Sequence, residues 1–328
     1  MKFLIIRLSS LGDIILTQPI VAELKARFPG CEISYVCKPQ NEELVRLMAP
    51  DIRVIGFHEE AAWFARLRQT RYDAAFDLHG KLASSAILYA ARAGKRFRYN
   101  KQRSMRKAIV NHKTDASITS TVDLYYSALA KYLGYKPSPL LLPTIQVPAM
   151  EGNPPPMPAV PDGKPLITIF PGALHHTKML PEYLWKEFLR AADPDWHFLI
   201  LGSPKEDAIA RRLEAVQPER ITNQCGKYSF EELAWVMAQS AVIISSDSGP
   251  MHLAAALRLP QVAIFGSTHP RLGFSPMNPN AHIICKDLSC QPCTLHGRLY
   301  CPLGHFDCMR GITPQELIEA VRERLNGV

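Results

Sequence analysis

Short apolar runs rich in β-branched residues alternate along this chain with longer stretches in which apolar side chains recur at helical spacing. In the first half, 3–6, 32–36, 53–55 and 74–78 read as strands, and 14–27, 41–48, 60–69 and 122–133 as helices. Alternation at this spacing implies parallel strands joined by crossover helices, an open α/β sheet. A proline-dense stretch from 137 to 165, with Pro154, Pro155 and Pro156 in a row, cannot form regular ladders and reads as a linker. A second alternation follows, with strands at 166–170, 197–201, 242–244 and, last, 261–265, and helices at 181–192, 204–215 and 230–239. After Thr313 and Pro314 an amphipathic helix carries Leu317, Ile318, Val321 and Leu325 on one side. The expected organisation is an N-terminal Rossmann-like domain over 1–150, a linker over 151–165, a C-terminal Rossmann-like domain over 166–312 and a terminal helix over 313–328. Strand C-terminal ends open onto loops and helix N-termini, so a cleft between two such domains is the expected ligand site.

Composition narrows this picture. At 328 residues, 47% hydrophobic and 21% charged, the chain has the make-up of a soluble globular protein. No apolar run approaches the roughly 18 residues of a membrane span. The apolar run that opens the chain is too short for a secretory signal, so a cytoplasmic location is expected. The net charge of +8 is local: between Asp77 and Asp115 lie ten basic residues and no acidic one, and subtracting them leaves the remainder slightly acidic. Such a block meets polyanions: nucleic acid, an anionic membrane surface, or a phosphorylated or carboxylated substrate. Nucleic acid is the weaker fit, because only Phe97 and Tyr99 interleave with the basic residues as stacking candidates. Five of eight cysteines fall between Cys285 and Cys308. Cys290, Cys293, Cys301 and Cys308 have the donor chemistry of a structural zinc site, but the second pair lacks C-x-x-C spacing. Reduced thiols and no resident metal or cofactor are expected.

The loops after the strands carry the chemistry. Ser9-Ser10-Leu11-Gly12-Asp13 lacks both the G-x-G-x-x-G of a dinucleotide turn and the G-K-[ST] of a P-loop, so hydride transfer and nucleotide hydrolysis lose support. Asp13 is either a helix N-cap or a general base that takes a proton from an attacking hydroxyl. The helix dipole weakens it as a base unless burial or a second carboxylate offsets that effect. Gly172 allows close backbone approach, while Thr177 and Lys178 address phosphate oxygens or simply face solvent. Glu206 reads as a ribose acceptor or as a surface carboxylate in a first helical turn. Ser246-Asp247-Ser248-Gly249-Pro250-Met251-His252 switches a buried strand into a helix with Pro250 in the first turn, leaving helix amides for an anion. No Asp-x-Asp lies where a magnesium-nucleotide site needs one, and Lys178 with helix amides is the alternative means of meeting a departing diphosphate.

Taken in order, Arg7 to Ile14, Phe170 to Ala173 with Lys178, Ser246 to Ala256, and Phe265 to Pro270 resemble glycosyltransferase family nine, the bacterial ADP-heptose:lipopolysaccharide heptosyltransferases. The resemblance implies a GT-B fold, two Rossmann-like domains facing each other across a cleft, with acceptor on the first and nucleotide sugar on the second. It makes Asp13 the base in a direct, inverting displacement and sets Lys178 and Thr177 against the diphosphate. Glu206 falls near the ribose, Asp247, Ser248, Gly249 and His252 on heptose and diphosphate, and Ser9 as a further donor contact. ADP-heptose is then the donor. Lys81, Arg96, Arg98 and Arg103 become contacts to an anionic glycolipid acceptor, reached by peripheral contact with the inner membrane. His175, His176 and His269 depart from the family pattern, His269 standing where an Asp is expected, and they bear on the choice of donor sugar. A GT-B enzyme using another nucleotide sugar and a basic polyanion-binding protein are the competing readings.

Overall fold

The computed structural model describes residues 1–328 except Glu151, Asn153 and Val328. The chain divides into two compact units: Met1–Arg103 with Thr119–Gln146, and Ser104–Ile118 with Val147–Val328. A stretch from within the N-terminal half therefore packs with the C-terminal unit, where Ile118 donates its amide to the Arg271 carbonyl at 2.9 Å.

In the first unit β1 (Lys2–Ile6), α1 (Leu11–Ile15), α2 (Gln18–Arg27), β2 (Glu32–Cys37), α3 (Glu42–Met48), β3 (Arg53–Gly56), α4 (Ala61–Leu67), β4 (Arg71–Asp77), α5 (Leu82–Ala90) and β5 (Arg92–Arg98) follow in turn. All pairings in its sheet are parallel, in the order β3-β2-β1-β4-β5. The single helix expected over 14–27 is two, because Pro19 supplies no amide to continue α1 and instead opens α2, while Thr17 returns its hydroxyl to the Ile14 carbonyl at 2.7 Å. The basic block is not one loop: it holds α5, the edge strand β5 and α6 (Arg103–Val110). Its strand went unread because Arg92-Ala93-Gly94-Lys95-Arg96-Phe97-Arg98 has almost no apolar alternation, as suits an edge defended by charge. Helix α7 (Thr121–Leu133) is capped by Ser120, which accepts from the Asp123 amide at 3.0 Å, and it packs on β4 and β5.

The second unit runs β6 (Leu166–Phe170), α8 (Glu182–Ala191), β7 (His197–Ile200), α9 (Asp207–Glu214), β8 (Ile221–Asn223), α10 (Phe230–Ala238), β9 (Val242–Ser246), α11 (Gly249–Ala256), β10 (Gln261–Phe265), β11 (Ala281–Cys285), α12 (Asp307–Arg310) and α13 (Pro314–Asn326). The parallel sheet has the order β11-β10-β9-β6-β7-β8. Two strands beyond the sequence reading complete it, and β10 is not the last: β8 is short, and β11 pairs with β10 from the far side of an irregular segment. The central strands β6, β9 and β10 are buried along their whole length, and Trp185, Phe188 and Phe198 fill the layer beneath them. Each fully buried side chain of this size contributes about 1.5–3 kcal/mol. Leu317, Ile318 and Val321 of α13 join the same core, so the terminal helix is part of this unit. Residues Pro137–Pro165, apart from Glu151 and Asn153, which lie outside the described residues, form neither helix nor strand.

Candidate active site

In each sheet the chain reverses its direction of growth once, and there the loops of two neighbouring strands splay apart and leave a crevice. In the first unit that point lies between β1 and β4. The loop after β1 carries Arg7 and leads to Asp13 on α1; the loop after β4 carries Leu78, His79 and Gly80. Arg7 is 6% exposed, donates to the Leu78 carbonyl at 2.6 Å and pairs with Asp13 Oδ2 at 2.5 Å. Burial alone would weaken the protonated guanidinium, but the Asp13 carboxylate and the oxygens of Tyr125, Tyr99 and Tyr35 raise its pKa, so it is a fixed cation. Asp13 also accepts from Ser10 Oγ at 2.8 Å and from the Tyr125 hydroxyl at 3.2 Å. The Tyr125 phenol is fully buried and its pKa is pushed well up by that burial, so it donates. The N-cap of α1 is Ser10 rather than Asp13: Asp13 is its N3 partner in a reciprocal cap, and its carboxylate stays partly open. The charged group seen beside Asp13 is the Arg7 guanidinium.

Of the four basic residues read as acceptor contacts, two are spent within the first unit. Arg96 donates to the carbonyls of Leu88 at 3.1 Å and Ala91 at 2.8 Å. Arg98 pairs with the buried Asp77 at 2.9 Å, across the β4–β5 register. Lys81 and Arg103 remain exposed. The aromatic pair considered as stacking candidates turns inward: Phe97 stacks on Phe76 with centroids 5.6 Å apart, and Tyr99 packs edge-on against Tyr125 at 4.9 Å. Ser9 lies in the loop after β1, in the first unit, whereas the other residues read as donor contacts lie in the second.

In the second unit the reversal lies between β6 and β9. The loop after β6 delivers Lys178, and the end of β9 delivers Asp247; their side chains pair at 2.8 Å. Asp247 is held from behind by its amide, bonded to the Ile264 carbonyl at 2.9 Å, and by Thr268 Oγ1 at 2.7 Å from the oxygen that meets Lys178. Thr177 is buried and its hydroxyl is committed to Ser267 at 2.8 Å and to the Arg298 backbone, so it fastens the Lys178 loop rather than facing a ligand. Ser248 precedes α11 and bonds the Ser246 carbonyl at 3.0 Å, leaving the first amides of α11 without a side-chain cap. Gly249 opens the helix and His252 is buried within it. On the neighbouring loop after β7, Glu206 accepts from the amide and hydroxyl of Ser203 at 2.7 and 2.6 Å. Its stem lies against Gly172 and Gly202, where a Cβ on Gly172 would come within 2.4 Å of Glu206 Cγ.

His269 has a structural task. Its Nδ1 accepts from the Arg271 amide at 3.0 Å, as an Asp cap would, and its Nε2 meets Asp287 at 3.0 Å. Burial lowers its pKa against the pull of Asp287, which suits a ring nitrogen acting as acceptor. His176 stacks on Phe306, and His175 packs against Gly297. The four cysteines weighed as a zinc site, where no metal was expected, come together at one place. Cys290, Cys293, Cys301 and Cys308 are free thiols lining one cavity of about 10 Å³, and among the described residues no three donors are placed to hold a metal. Burial, with the neighbouring thiols Cys293, Cys301 and Cys290, pushes the Cys308 thiol up to about 12. Sequence reasoning passed over Arg7, His79, Lys101 and Tyr125 as site residues. The loop at 77–81 carried a signal, lying after a strand at the reversal of the sheet, but only the sheet order reveals it.

The chain covers 100% of its own length and 99% of the solved Escherichia coli ADP-heptose lps heptosyltransferase II at a TM-score of 0.77 and 24% identity. Two parallel-sheet units of this order, matched over the whole chain, define the GT-B fold. Residues 61–301 match the profile of glycosyltransferase family 9 (heptosyltransferase), and the chain belongs to that family. Lipopolysaccharide heptosyltransferase 2 of Salmonella typhimurium is 27% identical to it, covering 99% of each chain. Lipopolysaccharide heptosyltransferase 1 of Escherichia coli K12 is 26% identical over 83% of this chain and 90% of its own length. Among the described residues no helix is long and apolar enough to cross a membrane.

Proposed function

We propose that this protein moves a heptose from ADP-heptose to an anionic lipopolysaccharide inner-core acceptor by direct, inverting displacement, without a metal. The observation that carries the reading is Asp13: a partly open carboxylate at the reversal of the first sheet, fixed by Arg7, Ser10 and Tyr125. Asp13 takes the proton of the acceptor hydroxyl, and that oxygen forms a bond to the anomeric carbon as the bond to the diphosphate breaks. ADP leaves with the electron pair, on the face opposite attack, so the anomeric configuration inverts. Lys178 and the uncapped amides of α11 take up the charge that develops on the diphosphate, which is the task a divalent metal performs elsewhere.

The family supports heptose, and the relatives named for lipopolysaccharide support the acceptor. One solved Escherichia coli heptosyltransferase, WaaC, is described with ADP, at 22% identity. A cytoplasmic enzyme that docks on the inner membrane fits the first unit, where the apolar side chains of Leu82 and Tyr89 on α5 are 89% and 72% exposed. The test is transfer from ADP-heptose to a Kdo-bearing lipid A acceptor in EDTA, with calorimetric binding of ADP, UDP, GDP and CDP alongside. Transfer with inversion and preference for ADP is expected. Preference for another nucleotide would move the donor away from heptose, and abolition by EDTA would end metal independence.

A further inference from the structure

A cavity of about 90 Å³ lies in the first unit where α4 carries the chain from β3 to β4. Its walls bring together Arg53, the first residue of β3, Arg66 near the end of α4, Thr70 in the turn beyond, and Tyr72 at the start of β4. Ile55 and Leu67 supply an apolar side, and Trp63 is held by its indole bond to the Gly56 carbonyl at 2.5 Å. This is the end of the sheet away from Asp13. Asp77, the last residue of β4, pairs with Ile6 just before Arg7, whereas Tyr72 lies two residues before Ala74, the partner of Phe3. Five residue steps separate Tyr72 from Asp77, roughly 16 Å of strand.

Donors gather here without an acceptor. No carboxylate lines the cavity. The acidic residues nearest in sequence serve elsewhere: Asp51 pairs with Lys25, and Asp73 accepts from the Lys2 amide at 2.7 Å. Among the described residues neither Arg53 nor Arg66 lies within ion-pair distance of a carboxylate. The Thr70 and Tyr72 hydroxyls have no hydrogen-bond partner among those residues, although Tyr72 is only 1% exposed. A buried hydroxyl is normally satisfied, so one left without a partner beside two unspent guanidiniums marks the place of an oxyanion. Size and charge say which. Sites for nucleotide-sized ligands start at about 300 Å³, so neither ADP nor a sugar nucleotide fits. At roughly 15 Å³ per water-sized sphere, the space suits about six heavy atoms, a phosphate group and its ester carbon. Two guanidiniums balance the charge of about −2 on a phosphate at neutral pH, whereas a carboxylate brings half of that charge on fewer oxygens.

We infer that Arg53, Arg66, Thr70 and Tyr72 bind a phosphate dianion, inorganic or the end of a small monoester, at a site remote from the transfer reaction and independent of the role given to Asp13. β3 and β4 are not neighbours in the sheet; β2 and β1 stand between them. A phosphate held by Arg53 and Tyr72 joins these two strands directly at their starts, with Arg66 and Thr70 fastening the end of α4. Its binding therefore stabilises the first unit by mass action without touching the loops at the other end of the strands.

The test follows the Trp63 indole N–H resonance, assigned with Trp63→Phe, while inorganic phosphate is added at constant ionic strength. It should move with a Kd of about 1 mM, the scale of a few charge-assisted contacts open to water. Arg53→Met and Arg66→Met should each raise that Kd about tenfold, and Tyr72→Phe about threefold. Both arginines are exposed, so their variants keep the fold. Glycerol 3-phosphate, and phosphatidylcholine vesicles carrying phosphatidate, distinguish the sources of the same group. An equal Kd for inorganic phosphate and the soluble ester assigns a free ligand. Phosphatidate-dependent sedimentation with vesicles, lost in Arg53→Met, assigns a lipid headgroup. No response to any of the three overturns the site. So does a Kd that neither arginine variant changes, and so does an equal response to acetate, which would make it a general anion patch.

Discussion

The two units carry the same device in opposite senses. Each has a cation–carboxylate pair at the point where its sheet reverses: Arg7 with Asp13 in the first, Lys178 with Asp247 in the second. In the first the cation is the fixed partner, with a side chain 7% exposed against 22% for Asp13. In the second the carboxylate is fixed, at 7% against 14% for Lys178. The more open member of each pair is the one suited to a ligand: a carboxylate to accept a proton, an ammonium to meet a diphosphate. Residue type agrees. Arg offers a planar fork that grips a carbonyl and a carboxylate at once, whereas Lys is a mobile point charge.

The comparison breaks most sharply at Asp13. Asp13→Asn keeps size and most hydrogen bonds but removes the proton acceptor, and kcat should fall about a thousandfold, the scale of general-base loss. Nucleotide binding, measured by calorimetry, should be unchanged because the residues proposed to hold the nucleotide, Ser9 apart, lie in the other unit. A kcat within tenfold of wild type would mean that the base lies elsewhere and that Asp13 is only a cap.

Next is the fixed cation. Arg7→Met removes the guanidinium from the Leu78 carbonyl and from Asp13, which keeps Ser10 and Tyr125. Urea unfolding should show a loss of about 2–3 kcal/mol, below the usual cost of breaking a buried pair because Asp13 is partly hydrated. Arg7→Lys should recover less than half, since one ammonium cannot span both acceptors. Full recovery would show that charge alone matters there. In the second unit Lys178→Met should weaken ADP binding about thirtyfold and leave stability within about 1 kcal/mol, because Asp247 keeps Thr268 and its backbone anchor. A large stability loss instead would make Lys178 a structural partner.

How far sequence carried this assignment differs between the same two regions. Ser246 to His252 announced itself, because a buried strand, a Pro in the first helical turn and a small-residue helix are local signals. Asp13 and Lys178 were legible for the same reason: each lies just past an apolar strand. Arg7, His79, Lys101 and Tyr125 were not, because what joins them is the placing of β4 beside β1 and of α7 across both, which is long-range pairing without local signature. Strand β5 was hidden by its charges, and β8 and β11 by brevity and by the irregular segment before β11. The basic residues read as acceptor contacts show a related limit. A block of like charge shows where a polyanion could bind but not which arginines are consumed by their own fold, as Arg96 and Arg98 are.

The smallest expected effect concerns His269, whose departure from the family pattern invites a functional explanation. The ring accepts from the Arg271 amide, the bond an Asp at a cap makes, and gains a contact to the exposed Asp287. His269→Asp should therefore retain the cap, lose the Asp287 contact and place two carboxylates near one another. The net change in stability should stay below about 1 kcal/mol, since caps of comparable quality differ by tenths and exposed pairs contribute little. Donor choice should not move, because the imidazole is occupied on both nitrogens by protein. A shift in the ratio of kcat/KM between ADP-heptose and another ADP-sugar by more than threefold would return His269 to the donor site and place specificity in the loop after β10.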